Sequence, residues 1–378
     1  MKSRAWSRAV MLPLAGGRLI AGRLRKGRYQ APISPRRVLI AHHLLLGDTI
    51  MLSPLLAKCR ERWPSAEVIM TCPVPYAGLY ATHPYGVRAV PYDPRDATTL
   101  SALRAEAGFD LALIPSDNRF SWLACALDSR WIVAFAGDSP RYKDWPVDEL
   151  RPYPAVPTAW GDLVAGLVDG PPPGRYRVEN WPAPPTPAFE MPRAPFCVLH
   201  AGASTPLKQW PGARWRTLGQ RLEALGYRIV LTTGQAEEHL LDAIDPARAW
   251  ARYPGTLSLP QLWQLLANAG LLVCPDTGIA HLARLVGVPT VALFGPGSAL
   301  LSGPGDFWRD SAFTALTIPD FPCRDQAITM KREVAWLRRC ERFYGTGAGQ
   351  CPEARCMFAL SIDLVWRAVE ERLTIVAA

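Results

Sequence analysis

Short aliphatic runs, each closed by Gly, Asp, His or Pro and followed by residues at helical spacing, recur along the chain. RRVLIAH (36 to 42) reads as a buried strand; after the LLLGD turn, Met51, Leu52, Leu55, Leu56, Cys59 and Trp63 fall on one helical face. Further strands are predicted at Glu67 to Thr71, Gly86 to Val90, Leu111 to Ile114 and Trp131 to Phe135. The rhythm stops between Arg151 and Pro195, where 12 of 45 residues are proline, a residue that lacks the amide donor a sheet or long helix needs. It resumes with FCVLH (196 to 200), a helix showing Trp215, Leu218, Leu222 and Leu225 with Gly226 as its stop, then YRIVLTT (227 to 233). LLVC (271 to 274), a helix from Thr277 to Val286, and TVALF (290 to 294) follow. This alternation predicts an α/β fold of two Rossmann-like lobes joined by a proline-rich linker, with a cleft between them and ligands at the carboxyl ends of the strands.

Composition and charge sharpen this. A chain of 378 residues, 49% apolar and 20% charged, is neither disordered nor coiled coil, and its length calls for two domains. No apolar run is long enough to span a bilayer. Ten of the 42 Lys and Arg lie in the first 47 residues with no acid before Asp48, and the remaining 32 face 33 Asp and Glu. The net charge of +9 therefore belongs to an N-terminal arm, and no nucleic-acid-binding surface is expected on the body. In that arm the cations are interleaved with Trp6, Val10, Met11, Leu12, Leu14, Leu19, Ile20 and Leu24, which predicts a basic amphipathic segment on anionic lipid; a solvated arm is the alternative. Pro13 and the lack of an A-x-A site argue against a secretory signal. The expected segments are the arm at 1–35, an N-terminal lobe at 36–150, the linker region at 151–195, a C-terminal lobe at 196–310 and a cysteine-containing tail at 311–378.

Cys59, Cys72, Cys125, Cys197 and Cys274 stand singly among apolar residues, as core filler does. Cys323, Cys340, Cys351 and Cys356 crowd the tail, and an odd total of 9 argues for a reducing compartment. There, four thiols suit a structural zinc or iron, against the alternative of packed reduced thiols. A metal would require Lys331 to Arg339 to fold back as a helix or hairpin.

Three motifs carry chemistry. In Leu46-Gly47-Asp48, Gly47 permits an unusual backbone angle and Asp48 falls near a helix N-terminus, where its ionised form is favoured; it is a candidate general base or a simple N-cap. In CPDTGIAHLARLVGVPTVALFGPGS (274 to 298), Asp276 is placed to cap a helix whose first amides, at Thr277, Gly278 and Ile279, suit phosphate, with His281 one turn on. In HAGASTPLKQWP (200 to 211), small residues admit a ligand, Ser204 and Thr205 offer hydroxyls and Lys208 offers a cation. Together the last two predict a nucleotide-diphosphate site.

These segments, with LLLGDTIMLSPLLAKCRERWPSAEV and GQAEE (234 to 238), resemble the lipopolysaccharide heptosyltransferases from about residue 36 to the C-terminus. The resemblance implies an inverting glycosyltransferase of the two-lobed GT-B fold, working without a catalytic metal. Asp48 would be the catalytic aspartate of an acceptor lobe. Ser204, Thr205, Lys208, Glu237, Asp276, Thr277, Gly278 and His281 would bind the donor, typically ADP-heptose. The acceptor would be a lipopolysaccharide core, at the cytoplasmic side of the inner membrane. Two positions depart from the pattern: His42 stands where an arginine is usual, and Ile279-Ala280 where Pro-Met is usual. CPEARCM (351 to 357) resembles the cysteine arrangement of related transferases, some of which glycosylate protein and hold iron through four cysteines. That leaves two further readings open: an autotransporter-type protein heptosyltransferase, and a catalytically silent nucleotide-binding scaffold.

Overall fold

The computed structural model describes residues 11, 13–17 and 30–377, with backbone only at 375–377. The chain forms two compact units: the first runs to Gly174 and takes back Ile328–Trp336, and the second comprises Arg175–Ala327 and Leu337–Ala378.

The first unit holds a six-stranded parallel sheet: β1 (Arg37–Ile40), β2 (Glu67–Cys72), β3 (Val87–Pro91), β4 (Phe109–Ile114), β5 (Ser129–Phe135) and β6 (Glu149–Arg151), in the order β3-β2-β1-β4-β5-β6. Val38 is registered against Val68 on one side and Leu111 on the other. The second unit repeats this arrangement with β7 (Phe196–His200), β8 (Arg228–Thr233), β9 (Ala251–Pro254), β10 (Leu271–Pro275), β11 (Thr290–Phe294) and β12 (Phe313–Thr317), ordered β12-β11-β10-β7-β8-β9. Val198 lies between Val230 and Leu272. Each order reverses beside its central strand, between β1 and β4 and again between β7 and β10. Loops at the carboxyl ends of those strands diverge there, which is where doubly wound sheets bind ligands.

The strands are continuous aliphatic runs because helices cover the sheets. The second core joins Leu199, Leu231, Val273 and Leu293 to Trp215, Leu218 and Leu222 of helix Gly212–Ala224, and to Val365 and Val369 of the C-terminal helix Ile362–Ala377. Gly226, at φ 89°, ends the first of these helices as the sequence predicts, but Leu225 lies beyond the helical face and is exposed. The five isolated cysteines are all buried and outside any disulfide. Strands β6, β9 and β12 escape the sequence reading because they are edges: only Phe313 in β12 is buried, so their residues lack the aliphatic signal of the inner strands. The proline-rich stretch holds the short helix Trp160–Ala165, whose Trp160, Leu163 and Val164 are buried.

A small part of the N-terminal arm is described by the structure. Ala15, within a helical stretch, is fully buried with Phe120, Leu123 and Cys125, and its carbonyl accepts from Cys125 Sγ at 3.6 Å. This portion packs on its own unit, with Met11 also against that cluster. The basic residues from Lys2 to Arg8 and from Arg18 to Arg28 lie outside the described residues.

Candidate functional site

In the second unit, the loops after β7 and β10 meet through one lysine. Lys208 Nζ donates to the Asp276 carbonyl at 2.7 Å and to Asp276 Oδ2 at 3.1 Å. An ammonium has three donors, so one remains for a ligand. Asp276 does not cap the following helix as the sequence reading has it; Thr277 is the N-cap of Gly278–Val286. The reason is the lysine: its charge, with a close wall at Gly297 where a Cβ would stand 2.2 Å from Oδ2, turns the carboxylate away from the helix amides. No side chain caps this helix.

Thr277 Oγ1 and His281 Nδ1 are buried and have no hydrogen-bond partner among the described residues. Burial, reinforced by Arg284 and Lys208, holds the His281 imidazole neutral, its pKa well below the usual value. The site thus presents an open helix N-terminus, a hydroxyl, a neutral imidazole and a spare ammonium donor. An anion with several oxygens satisfies all four.

The remaining donor-side residues have defined tasks. Thr205 Oγ1 accepts from Leu207 N at 3.3 Å and starts the turn that aims Lys208, while Ser204 is exposed. Glu237 is a clasp: Oε1 accepts from Ala203 N at 3.1 Å and Oε2 from Gly234 N at 2.9 Å, tying the loops after β7 and β8. Gly202 makes that clasp fit, since a Cβ there would lie 2.5 Å from Glu237 Oε2.

In the first unit, Asp48 lies in the first turn of helix Leu46–Ile50, whose N-cap is Leu45. Asp48 is therefore inside the helix and not its cap. Gly47 has ordinary helical backbone, contrary to the unusual angle expected of it, because the helix begins one residue before it. His42, directly after β1, is fully buried; its Nδ1 accepts from Leu44 N at 3.2 Å, and burial followed by repulsion from His43 lowers its pKa to about 3. His42 is thus a neutral imidazole with its Nε2 unpartnered among the described residues, where an arginine would have placed a cation.

The four tail cysteines converge in the second unit. Burial and then Cys340 raise the Cys323 thiol, with Cys351 adding to it, and Cys356 is pushed up to about 11 by burial and then Cys323. The expected ligand set is nonetheless not formed: among the described residues, no three His, Cys, Asp or Glu side chains are placed to hold one ion. Arg342 Nη1 reaches Cys340 Sγ at 3.6 Å, and Arg324 lies close enough to Cys356, Cys323 and Cys340 to be affected by each. As placed, the cysteines are separate thiols with two guanidiniums among them.

Arg284 and Arg332 were missed by the sequence reading. Arg284 is buried on the helix Gly278–Val286, donating to Gly303 O at 2.9 Å and to Ser302 O, and stacked over Phe313 at 4.1 Å. A charged residue among Leu282, Ala283 and Leu285 was the available signal. Arg332 had none, since its partners are far away in sequence.

Residues 179–330 match glycosyltransferase family 9 (heptosyltransferase). The chain is 27% identical over 323 residues to lipopolysaccharide heptosyltransferase 1 of Pseudomonas aeruginosa, covering 78% of this chain and 87% of that protein. The structure of Escherichia coli ADP-heptose lipopolysaccharide heptosyltransferase II superposes with a TM-score of 0.65 at 19% identity, covering 91% of this chain and all of that one. The dodecameric iron-containing heptosyltransferase TibC, solved with ADP-D-β-D-heptose, gives a TM-score of 0.54 at 13% identity over 91% of this chain and 77% of its own. No helix among the described residues is long and apolar enough to cross a membrane. With its two doubly wound sheets, this chain has the GT-B fold, carries a glycosyltransferase family 9 domain over residues 179–330 and is a glycosyltransferase similar to the heptosyltransferases.

Proposed function

We propose that the chain transfers heptose, with inversion, from ADP-heptose to a lipopolysaccharide core acceptor. The Lys208–Asp276 lock beside the open helix at Thr277, with Thr277 Oγ1 and His281 Nδ1 unpartnered, carries this reading: a donor diphosphate supplies the oxygens these groups lack. The similar proteins' names supply the sugar and the acceptor class.

The chemistry follows from the residue types. An acceptor hydroxyl oxygen attacks the anomeric carbon from the face opposite the diphosphate; the bond to the diphosphate oxygen breaks and ADP leaves with the electron pair. Asp48, in the first turn of its helix, takes the hydroxyl proton. Lys208 and the amides at Thr277 meet the charge growing on the leaving oxygen, so the step needs no metal.

A panel of nucleotide sugars tests the donor. ADP-heptose at 100 times its Kd is expected to add about 2.7 kcal/mol of stability, and the product should show the inverted anomeric configuration by NMR. Stabilisation by other nucleotide sugars but not ADP-heptose contradicts the donor. Transfer to an autotransporter protein but not to a lipopolysaccharide core contradicts the acceptor, and donor binding without turnover leaves a nucleotide-binding scaffold.

The reading places the enzyme at the cytoplasmic side of the inner membrane. Beyond the charge of the arm, Trp145, Tyr142 and Arg141 are exposed, and Trp145 lies 6.3 Å from Trp122 on the helix that Ala15 packs against. Aromatic rings beside cations suit an anionic interface. Changing Arg18, Arg23, Arg25, Lys26 and Arg28 to Gln keeps Ala15 in place and should release the chain from anionic vesicles, at about 1 kcal/mol per cation. Unchanged sedimentation contradicts this.

For the tail cysteines, the reading is that a zinc or iron ion draws Cys323, Cys340, Cys351 and Cys356 together; their mutual proximity supports it. Elemental analysis of protein purified without chelator should find about one ion per chain, lost in Cys351→Ser with Cys356→Ser. No metal, or equal metal in that variant, means packed thiols.

A further inference from the structure

Arg284 is a buried cation that pairs with no carboxylate among the described residues. It stands in the last turn of the helix Gly278–Val286 and is 2% exposed. Its guanidinium donates to Gly303 O at 2.9 Å and to Ser302 O, with the Phe313 ring 4.1 Å and the Trp308 ring 5.5 Å away. Its Nε is buried with no hydrogen-bond partner among the described residues. Burial pulls its pKa down to about 9, which leaves it charged at neutral pH. A charge in such surroundings is costly, and an apolar side chain of similar volume would pack there at less cost. Its place in the last turn suits the helix dipole, but an exposed lysine would do the same without burial. A cation kept at that cost points to a use outside packing.

The charge reaches the start of the same helix. Helical side chains lean toward the N-terminus, and residues three apart are neighbours, as Arg284 and His281 are. After burial, Arg284 is the larger cause of the lowered His281 pKa, and Asp276 acts against burial in raising that of Arg284. At the helix start, the Lys208 charge is matched by Asp276, with which it pairs, and His281 is neutral. Thr277 and the amides offer hydrogen bonds there, while Arg284 supplies net positive charge from within. Its carbonyl partners also close a turn that Ser298 opens: Leu301 N donates to Ser298 Oγ at 3.2 Å and Ser302 N to Ser298 O at 3.0 Å. That turn directly follows Gly297, the wall of the Asp276 carboxylate. All of these residues belong to the second unit.

We propose that Arg284 is a positioning residue of the candidate donor site: without touching the ligand, its buried charge favours a diphosphate at the Thr277 helix start, and its guanidinium holds the turn at 298–302. The proposal rests on the donor reading argued above. A ligand then gains from Arg284 in proportion to its phosphate charge, so that ADP gains most, AMP less and adenosine nothing.

Calorimetry on the full-length chain with ADP, AMP and adenosine tests it. Arg284→Met should weaken ADP about tenfold, AMP by a smaller factor and adenosine by less than about twofold, as expected for charges roughly 10 Å apart in a protein. Arg284→Lys keeps the charge and should hold ADP within about threefold of wild type. The Met variant should melt no lower than wild type, because it removes a buried charge that lacks a counter-ion. Arg284→Gln keeps a donor for Ser302 or Gly303 without the charge; it should repeat the loss for ADP, and it carries the comparison if the Met variant does not fold. Wild-type ADP affinity in the uncharged variants overturns the proposal. Equal losses for ADP, AMP and adenosine overturn it too, since they assign Arg284 to packing alone. A wild-type chain that ADP does not bind overturns the donor reading itself, and this proposal with it.

Discussion

The two sheets share one strand order, yet their ligand-facing ends are built differently. In the second unit the candidate site comes from two short stretches, 200–208 and 274–281, joined by the two hydrogen bonds from Lys208 to Asp276. In the first unit, the ends of β4 and β5 close over a buried ionic network: Lys143 Nζ lies 2.7 Å from Asp138 and 3.0 Å from Asp117, and Arg332 arrives from 196 residues beyond Ala136. A site proposed to bind a common group, a diphosphate, can be compact and local in sequence. A scaffold that must hold loops in register draws on distant residues, and its charges answer to each other.

The sharpest way to break this contrast is to remove one charge from the network. Lys143→Met leaves the fully buried Asp138 without its ammonium and should cost about 3–5 kcal/mol in urea unfolding, while ADP affinity of the folded protein stays unchanged. A loss below about 1 kcal/mol would show an exposed-type pair. On the other side, Gly297→Ala pushes a methyl into the Asp276 carboxylate. It should cost about 1–3 kcal/mol of stability by overpacking and weaken ADP binding, read by calorimetry; unchanged binding would detach the Lys208–Asp276 lock from the donor.

A smaller effect compares the two units through pH. His42 in the first unit and His200 in the second are lowered to about 3 and about 4, chiefly by burial. The unfolded chain therefore binds more protons below pH 6.5, so stability is full above that pH and falls as pH drops toward 4, by up to about 1.4 kcal/mol per pH unit for each histidine. Denaturant unfolding across this range should flatten in His42→Gln and, separately, in His200→Gln. A wild-type profile that is already flat contradicts the buried neutral imidazoles.

The same contrast explains what could be read from the sequence. Inner strands such as VLI at 38–40 and LLVC at 271–274 are legible because burial on both faces demands unbroken aliphatic runs, and the meeting of the stretches at 200–208 and 274–281 because each is a run of neighbours in the chain after a legible strand. Edge strands such as Ala251–Pro254 lose that demand on their open side. The exchange of caps, with Thr277 in place of Asp276 and Leu45 ahead of Asp48, turns on side-chain partners that spacing does not encode. The return of Ile328–Trp336 to the first unit depends on a socket of carbonyls at Ser116, Phe135 and Ala136, and carbonyls have no signature in a sequence.

The central claim is a division of labour, with the proton taken by Asp48 of one unit and the donor held at Lys208 of the other. ADP titration calorimetry on Asp48→Asn and Lys208→Ala, run beside their turnover, tests it most directly. The account predicts that Asp48→Asn binds ADP as wild type does while losing about 10²- to 10⁴-fold in transfer, and that Lys208→Ala loses about tenfold or more in ADP affinity. Near-wild-type turnover in Asp48→Asn, or unchanged ADP affinity in Lys208→Ala, would contradict it.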